Sequence, residues 1–401
     1  MTKVKLMPAS EQITPQELLQ RAIALQPRFR ERREETRQLR RVPDQSITDL
    51  KNAGLFKIMQ PARFGGFEMS PKHFYDAVFE VARACPSTGW VLSVVGVHNW
   101  QLGLLDEQAQ LDVWETDTDV LISSSYAPRG VATPVEGGFK FSGQWQFSSG
   151  SDHAEWVFVG GLMPEDERFP DIPQIGSFLI PRADYEVIDD WHTTGLQGSG
   201  SKSIKVSDVF VPSHRVHTFM QGFTGDNPGT KINAAPIYKL PFGQVFIRAV
   251  STPSIGTAQG ALDAYCEYNA KRLNSVGQQV IDSPAGQLAA AKAQSEIRTA
   301  RLKIHYAYDT LLGNIAADQP FSDQDRVEFR YDSCHSVDSL VSVVQELLAN
   351  SGGSAIYQGN LVNEYYQDML AFRQHAANQT HTPATNLGAV MFGAPLQDMF
   401  C

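Results

Sequence analysis

The sequence lacks the patterns that mark a metal centre, a nucleic-acid surface or a membrane span. Its 401 residues include only four cysteines, Cys85, Cys266, Cys334 and Cys401. They lie far apart with no CxxC pair, which argues against a disulfide framework and a structural zinc site. No HExxH and no cluster of His and Cys ligands is present, so no catalytic metal is expected. Lys and Arg number 34 against 44 Asp and Glu, a formal net charge of −10, whereas a phosphate-binding surface would be basic. The longest apolar run, Trp90 to Trp100, is interrupted by Ser93, Gly96, His98 and Asn99, and a bilayer span takes about 20 apolar residues. The opening MTKVKLMPASEQ has no apolar core of a secretory signal. Gly195-Leu-Gln-Gly198-Ser-Gly200 has neither the spacing of GxGxxG nor a helix after it, so it reads as a turn between strands rather than a phosphate loop. A Ser-His-Asp hydrolase lacks its GxSxG elbow, and Asp152-His153, adjacent on an extended chain, would point to opposite sides. These absences leave a soluble, reduced, cytoplasmic protein with no membrane or nucleic-acid partner.

What is present is core material. Hydrophobic residues make up 42% of the chain and charged residues 19%, enough for two or three domains. Thr14-Pro15-Gln16-Glu17 starts a helix with a capping box, and Ser70-Pro71 starts another, followed by Phe74, Ala77, Val78, Val81 and Ala82 at helical spacing. Arg28 to Arg41 holds seven arginines and three glutamates, read as a solvated or subunit-facing helix surface without chemistry. From Val120 short runs rich in Val, Ile, Phe and Trp alternate with Gly, Pro and Ser, which predicts an antiparallel β domain. Helical spacing returns after Thr224: Thr252-Pro253 and Ser283-Pro284 read as N-cap and N1 pairs. Val337, Leu340, Val341, Val344, Leu347 and Leu348 form one stripe, ended by Gly352-Gly353. The expected division is a helical domain over 1–119, a β domain over 120–223 and a helical bundle over 224–401.

Few polar residues stand out against this background. His98 sits within the apolar run, where a buried core histidine is the plainer reading. Ser123-Ser124-Ser125 and Ser148-Ser149 end predicted strands, where serines usually serve turns. His375 follows Ser351-Gly-Gly-Ser354 near the end of the last helical segment, and a surface histidine after a glycine cap accounts for it equally well.

The helix–β–helix order resembles the acyl-CoA dehydrogenase fold, and local strings sharpen the likeness. Phe141-Ser-Gly-Gln-Trp145-Gln-Phe147-Ser-Ser149-Gly and Gly195 to Lys202, followed by Val206 to Pro212, resemble its β domain. Leu39 to Asp44, Ser87-Thr-Gly-Trp90, Val95-Gly-Val-His98-Asn-Trp100, Ser123 to Pro128 and Ser148 to Ala154 resemble one branch of it. That branch comprises the oxygenase components of two-component flavin-dependent aromatic monooxygenases. The likeness runs from about residue 15 to the C-terminus. It implies an α+β, acyl-CoA dehydrogenase-like fold with an N-terminal helical domain, a central antiparallel β domain and a C-terminal four-helix bundle, assembled as a homotetramer.

The resemblance also implies roles. Trp90, Ser124, Ser125, Tyr126, Phe147, Ser148 and Ser149 match positions lining the flavin, and Arg272 matches an arginine on its phosphate. Gly353, Ser354, His375 and Ala376 match segments that complete the site, partly across a subunit interface. His98 and Ser124 match residues on the substrate's phenolic hydroxyl, while Ser149 and His375 match supports of the oxygenated flavin. The implied cofactors are FMNH2 or FADH2 together with O2, and the implied reaction is ortho-hydroxylation of a phenol through a C4a-hydroperoxyflavin. No nicotinamide-binding βαβ unit is legible, so a separate NAD(P)H-dependent flavin reductase is the implied partner. An arginine found near Gly243 in members acting on a small aromatic acid is missing, which leans toward a larger, neutral phenol. The second histidine often seen just after Asp368 is missing too. The same chemistry on an indole or sulfur heterocycle is the alternative. An acyl-CoA dehydrogenase would need a glutamate base facing the flavin, and none is legible.

Overall fold

Thr14 opens the first helix as its spacing predicts, with its hydroxyl accepting the Glu17 N–H at 3.2 Å. The reciprocal half of the capping box is not made, because the Glu17 carboxylate reaches forward to Arg21 at 2.6 Å. The computed structural model describes residues 13–164, 174–274, 276–398 and 400–401; the opening stretch read for a signal lies outside them. Six helices come first: α1 (Pro15–Glu31), α2 (Arg33–Leu39), α3 (Asp44–Asn52), α4 (Pro71–Ala84), α5 (Pro86–Leu102) and α6 (Glu107–Trp114). Seven strands come next: β1 (Ile122–Val135), β2 (Gly138–Ser148), β3 (Trp156–Leu162), β4 (Ile175–Pro181), β5 (Glu186–Ile188), β6 (Lys202–Pro212) and β7 (Val216–Thr218). The chain closes with α7 (Phe219–Thr224), α8 (Phe242–Asn269), α9 (Pro284–Ala316), α10 (Asp323–Ala349), α11 (Leu361–Gln374) and α12 (His381–Met391). Helices α8 to α11 form the four-helix bundle, and α12 lies against α10. No helix of the described residues is long and apolar enough to cross a membrane.

The sheet runs β5-β6-β2-β1-β3-β4-β7. One pair departs from the expected antiparallel pattern: β1 and β3 are parallel, with Ile122 beside Trp156 and Ser125 beside Val159. After β2 the chain does not turn back in a hairpin. It passes round the start of β1, where the Glu155 N–H donates to the Leu121 carbonyl at 3.0 Å, and enters β3 on the other side. Successive strands become antiparallel neighbours only when each pairs with the one before it, and β3 joins beside β1 instead of β2.

Helix α5 lies buried on every side, as its all-round apolar character requires. It packs against α4, α8 and β1, so it forms the seam between the helical layers and the sheet. One expectation changes here. Pro253 does not start a helix but sits inside α8. A proline there leaves the carbonyl four residues back without its donor, and Ser93 of α5 donates to that Ala249 carbonyl at 2.7 Å. Asn378 supplies the neighbouring Val250 carbonyl at 3.0 Å. The arginine run, in turn, is spent on intramolecular pairs. Arg28 and Arg32 meet Asp49 at 3.0 and 2.7 Å, Arg33 meets Glu364 at 3.4 Å, and Arg40 meets Asp189 at 2.7 Å.

Ser93→Ala should therefore destabilise the fold by about 1–3 kcal/mol, the usual cost of a buried carbonyl left unpaired. Pro253→Ala in that background should recover much of the loss, because alanine returns the N–H to the Ala249 carbonyl. Denaturant titration of the two single variants and the double variant checks this; additive losses would show that the two sites are not coupled.

Candidate active site

The carboxyl-terminal half of α5 carries His98 into an aromatic box. Its ring is fully buried, with Phe158 at 5.8 Å, Tyr126 at 6.0 Å and Phe246 at 6.1 Å between centroids. Phe242 stacks on Phe246 at 5.3 Å and closes the far side. The Nδ1 atom lies 3.2 Å from Gln101 Oε1 and 3.3 Å from the Tyr126 hydroxyl; Tyr126 itself donates to Gln101 Oε1. Among the described residues, the buried Nε2 atom has no partner. Burial pushes the imidazole down to about 3, only partly opposed by the Gln101 bond, so His98 is neutral at any working pH. Burial likewise raises the Tyr126 phenol, against hydrogen bonds with Ser124 and Gln101. His98, Ser124 and Tyr126 therefore meet at one place, and no cation faces the His98 ring among its ring and hydrogen-bond partners.

A second group forms where α5 begins. Trp90 Nε1 donates to Ser149 Oγ at 2.8 Å, and Ser149 exchanges a hydrogen bond with Ser201 at 2.7 Å, as Ser201 does with Ser199. The Trp90 ring meets Phe372 at 5.5 Å and His375 at 5.7 Å. His375 Nδ1 accepts the Ala377 N–H at 3.2 Å. Burial first, then nearby Arg330, pushes its imidazole down to about 4. A neutral imidazole whose Nδ1 accepts must carry its hydrogen on Nε2, so His375 offers a donor. Ala376 begins the short turn after it.

Two bulky residues beside this group hold left-handed backbone: Phe147 at φ 68 and Leu196 at φ 49. Such conformations cost about 1–3 kcal/mol and persist only where surroundings impose them. Phe147 is 65% exposed, its ring perpendicular to that of Trp191 at 6.2 Å. Leu196 is held by the half-buried Asp368 carboxylate, which accepts its N–H at 2.6 Å. The Gly195–Gly200 stretch is thus more than a turn between strands. A Cβ on Gly195 would sit 2.1 Å from the Gln367 carbonyl of α11, so glycine lets the loop dock there and deliver Ser199 and Ser201. The other predicted serines serve the sheet: Ser148 donates to Ser123 at 3.1 Å, and Ser125 to the Gln146 carbonyl at 2.7 Å.

Arg272, Gly353 and Ser354 gather elsewhere, at the end of α10. The Arg272 guanidinium donates to the Ser351 carbonyl and, at 3.2 Å, to the Asn350 carbonyl. Its Nε is buried without a partner, and Tyr268, beneath the guanidinium at 5.3 Å, shares a 2.7 Å hydrogen bond with Ser354. Gly353 and Ser354 are exposed. Among the described residues, no hydrogen bond or ring contact joins this patch to His98 or Trp90. A separate cleft of about 430 Å³, lined in part by Arg33, Arg37, Glu364 and Asp368, contains neither histidine.

Residues 15–110 match the acyl-CoA dehydrogenase N-terminal domain and residues 249–380 its C-terminal domain. The chain is 41% identical to the oxygenase subunit HsaA of a flavin-dependent monooxygenase from Rhodococcus jostii (strain RHA1), covering 95% of this chain and 99% of that one. It belongs to the flavin-dependent monooxygenase oxygenase components. The crystal structure of 3-HSA hydroxylase from Rhodococcus sp. RHA1 superposes with a TM-score of 0.91 at 40% identity, covering 96% and 99% of the two chains. The FADH2-dependent resorcinol hydroxylase oxygenase component from Rhizobium sp. (strain MTP-10005) is 31% identical, with 91% of each chain covered. This flavin-dependent monooxygenase is an oxygenase component that hydroxylates aromatic rings, with reduced flavin as its cofactor.

Sequence reasoning missed Gln101, Ser201 and Phe246 in this oxygenase. Gln101 had a signal, since a polar residue three positions after His98 shares its helix face. Ser201 and Phe246 come from segments distant in sequence and had none.

Buried neutral histidines make the oxygenase acid-sensitive. His98 at about 3, His375 at about 4 and His217 at about 4 all lie below the unfolded value of 6.5. Their contribution is complete above that value and lost as pH falls toward the folded one, at about 1.4 kcal/mol per pH unit for each. Asp368, pushed up to about 6 by burial, runs the other way between about pH 4 and 6 and offsets one of the three. Unfolding free energy should therefore drop between about pH 6.5 and 5, and His217→Gln should flatten that drop by nearly half. Denaturant melts at several pH values measure it, and an unchanged slope would remove His217 from the account.

Proposed function

We propose that this oxygenase hydroxylates a bulky, neutral phenol ortho to its hydroxyl, with His98 as the base that draws on the phenolic proton. The observation that carries the reading is a neutral, fully buried imidazole whose Nε2 has no partner, set among aromatic rings. A phenol, with a pKa near 10, is a poor nucleophile until its proton is shared with an acceptor. His98 Nε2 would take that proton's hydrogen bond, and Ser124 would steady the same oxygen. Phe158, Phe242 and Phe246 would hold the ring and keep water out. The absence of a cation among His98's partners favours a neutral substrate over an aromatic acid.

The residues beside Trp90 fit a flavin. The exposed Phe147 ring offers a flat face, and the serine hydroxyls offer both donors and acceptors. Reduced flavin, when bound, supplies the electrons that activate oxygen. Trp90, Ser124, Ser125, Tyr126, Phe147, Ser148 and Ser149 would line it, Ser149 and the His375 Nε2–H would offer hydrogen bonds to its reacting edge, and Ala376 would complete the wall. The unpartnered Arg272 Nε, beside Gly353 and Ser354, suits a phosphate. Because, among the described residues, no hydrogen bond or ring contact joins that patch to His98 or Trp90, it would serve the flavin of a neighbouring copy in a homotetramer. A separate flavin reductase would supply the reduced cofactor.

Two variants test the division of labour, with photoreduced flavin, oxygen and a panel of phenols. His98→Ala should oxidise reduced flavin at the normal rate but release hydrogen peroxide in place of product, with hydroxylation down about 10²-fold or more. His375→Ala should change the rate of flavin oxidation even with no phenol present. Identical defects in the two would refute the division, and normal coupling in His98→Ala would point to a substrate without a phenolic proton.

Arg272→Ala should weaken equilibrium binding of reduced flavin at least tenfold, and should also cost about 1 kcal/mol of stability through the lost cap on α10. A stability loss with unchanged flavin affinity would leave Arg272 as a helix cap alone.

A further inference from the structure

Around Gln101 some groups can give a hydrogen and others can only take one. The His217 backbone carbonyl can only accept, so the Ser177 hydroxyl, 3.1 Å away, spends its hydrogen there. Ser177 then has only lone pairs to offer Gln101 at 3.4 Å, and the amide atom facing it must be the NH2. That turns the amide oxygen toward the aromatic box, where the Tyr126 hydroxyl donates to it. An amide oxygen accepts only, so His98 Nδ1, 3.2 Å from it, carries the ring hydrogen. The neutral ring has one N–H, which leaves Nε2 a bare lone pair, and Nε2 is the atom buried without a partner.

We propose that Gln101, held by Ser177, is a positioning residue that fixes His98 in its Nδ1–H tautomer and so reserves Nε2 as the acceptor for the substrate's hydroxyl. The proposal rests on the reading of His98 as the base. Because burial keeps the imidazole neutral, the tautomer is what remains to be controlled. Loss of Gln101 would reverse it. The Tyr126 hydroxyl lies 3.3 Å from Nδ1. Without the amide oxygen, its hydrogen turns to Nδ1 and the ring proton moves to Nε2. A phenol would then meet a donor where it needs an acceptor. A residue that merely fills space would have no such effect.

The experiment is 15N NMR of the full-length protein labelled in histidine, with the His98 signals assigned by their loss in His98→Ala. The wild type should show protonated Nδ1 and bare Nε2. Gln101→Leu, similar in volume, should show the reverse, and Ser177→Ala, which frees the amide to turn over, should show a mixture. Gln101→Leu should also lower product formed per flavin oxidised by about 10- to 100-fold, with the KM for the phenol nearly unchanged. A wild-type ring protonated on Nε2 would overturn the proposal. So would an unchanged tautomer in Gln101→Leu or, should that variant not fold, in Ser177→Ala. If the tautomer switches as expected but His98→Ala leaves coupling intact, the tautomer assignment stands and the reading of His98 as base fails.

Discussion

Helix α5 has no exposed side, and that one constraint organises the molecule around it. A polar group on such a helix is costly unless another element supplies its partner, by about 1–3 kcal/mol each on mutational scales. Ser93 supplies the carbonyl that Pro253 strips of its donor in α8. Asn99 donates to the Phe56 carbonyl at 2.8 Å and to Gln60 at 3.1 Å, fixing the N-terminal layer. Gln101 reaches the sheet through Ser177, and Trp90 reaches it through Ser149. Each polar residue ties α5 to a different neighbour, so the site is located by the same bonds that hold the layers together. His98 Nε2 and Asn99 Oδ1 are the exceptions among the described residues, both left without a partner, and His98 Nε2 belongs to a ring set among aromatic side chains.

The two histidines show how one side chain acquires opposite uses. Burial strips both of charge, so neither works as a cation. What differs is the group that meets Nδ1. An amide oxygen meets it in His98 and forces the hydrogen onto that nitrogen; a backbone N–H meets it in His375 and forces the hydrogen to the other. One ring thus presents a lone pair to a box of aromatic walls, and the other presents an N–H beside Trp90 and Ser149. In the proposed reading the first would accept the substrate's proton and the second would donate to the electron-rich cofactor.

The parts of this arrangement that were legible in the sequence are those set by local rules. Apolar spacing and Ser/Thr-Pro starts located α1, α4 and α9, and the run from Trp90 to Trp100 announced a buried segment with a histidine in it. Pro253 misled because a proline inside a helix is tolerated only when other segments supply the freed carbonyls, and those donors, Ser93 and Asn378, lie more than 100 residues away on either side. The parallel pairing of β1 with β3 was hidden for a similar reason, since spacing along a strand does not record which side of the sheet the next strand joins. The arginine run lies at the surface, and which carboxylates it meets was hidden because Asp189 and Glu364 are remote in sequence. Of the site, His98, Ser124 and Tyr126 were recoverable from family likeness. Gln101 carried only the hint of a shared helix face with His98, and Ser201 becomes visible only once α5 and the glycine-rich loop are in contact.

Strain at the edge of the site has an owner. Leu196 in a left-handed conformation would relax in an isolated loop, but its N–H is taken by Asp368 and its carbonyl by Trp191 Nε1 at 3.1 Å. Asp368 can do this because burial makes its carboxylate seek a donor, and the Leu196 N–H is the bond that most lowers its raised pKa. Asp368 stands on α11, the helix whose carboxyl end delivers His375 to Trp90. The loop that brings Ser199 and Ser201 to Ser149 is therefore pinned by the same helix that brings the histidine. Moving α11 would shift donor and serine network together, which keeps their geometry matched without any direct bond between them.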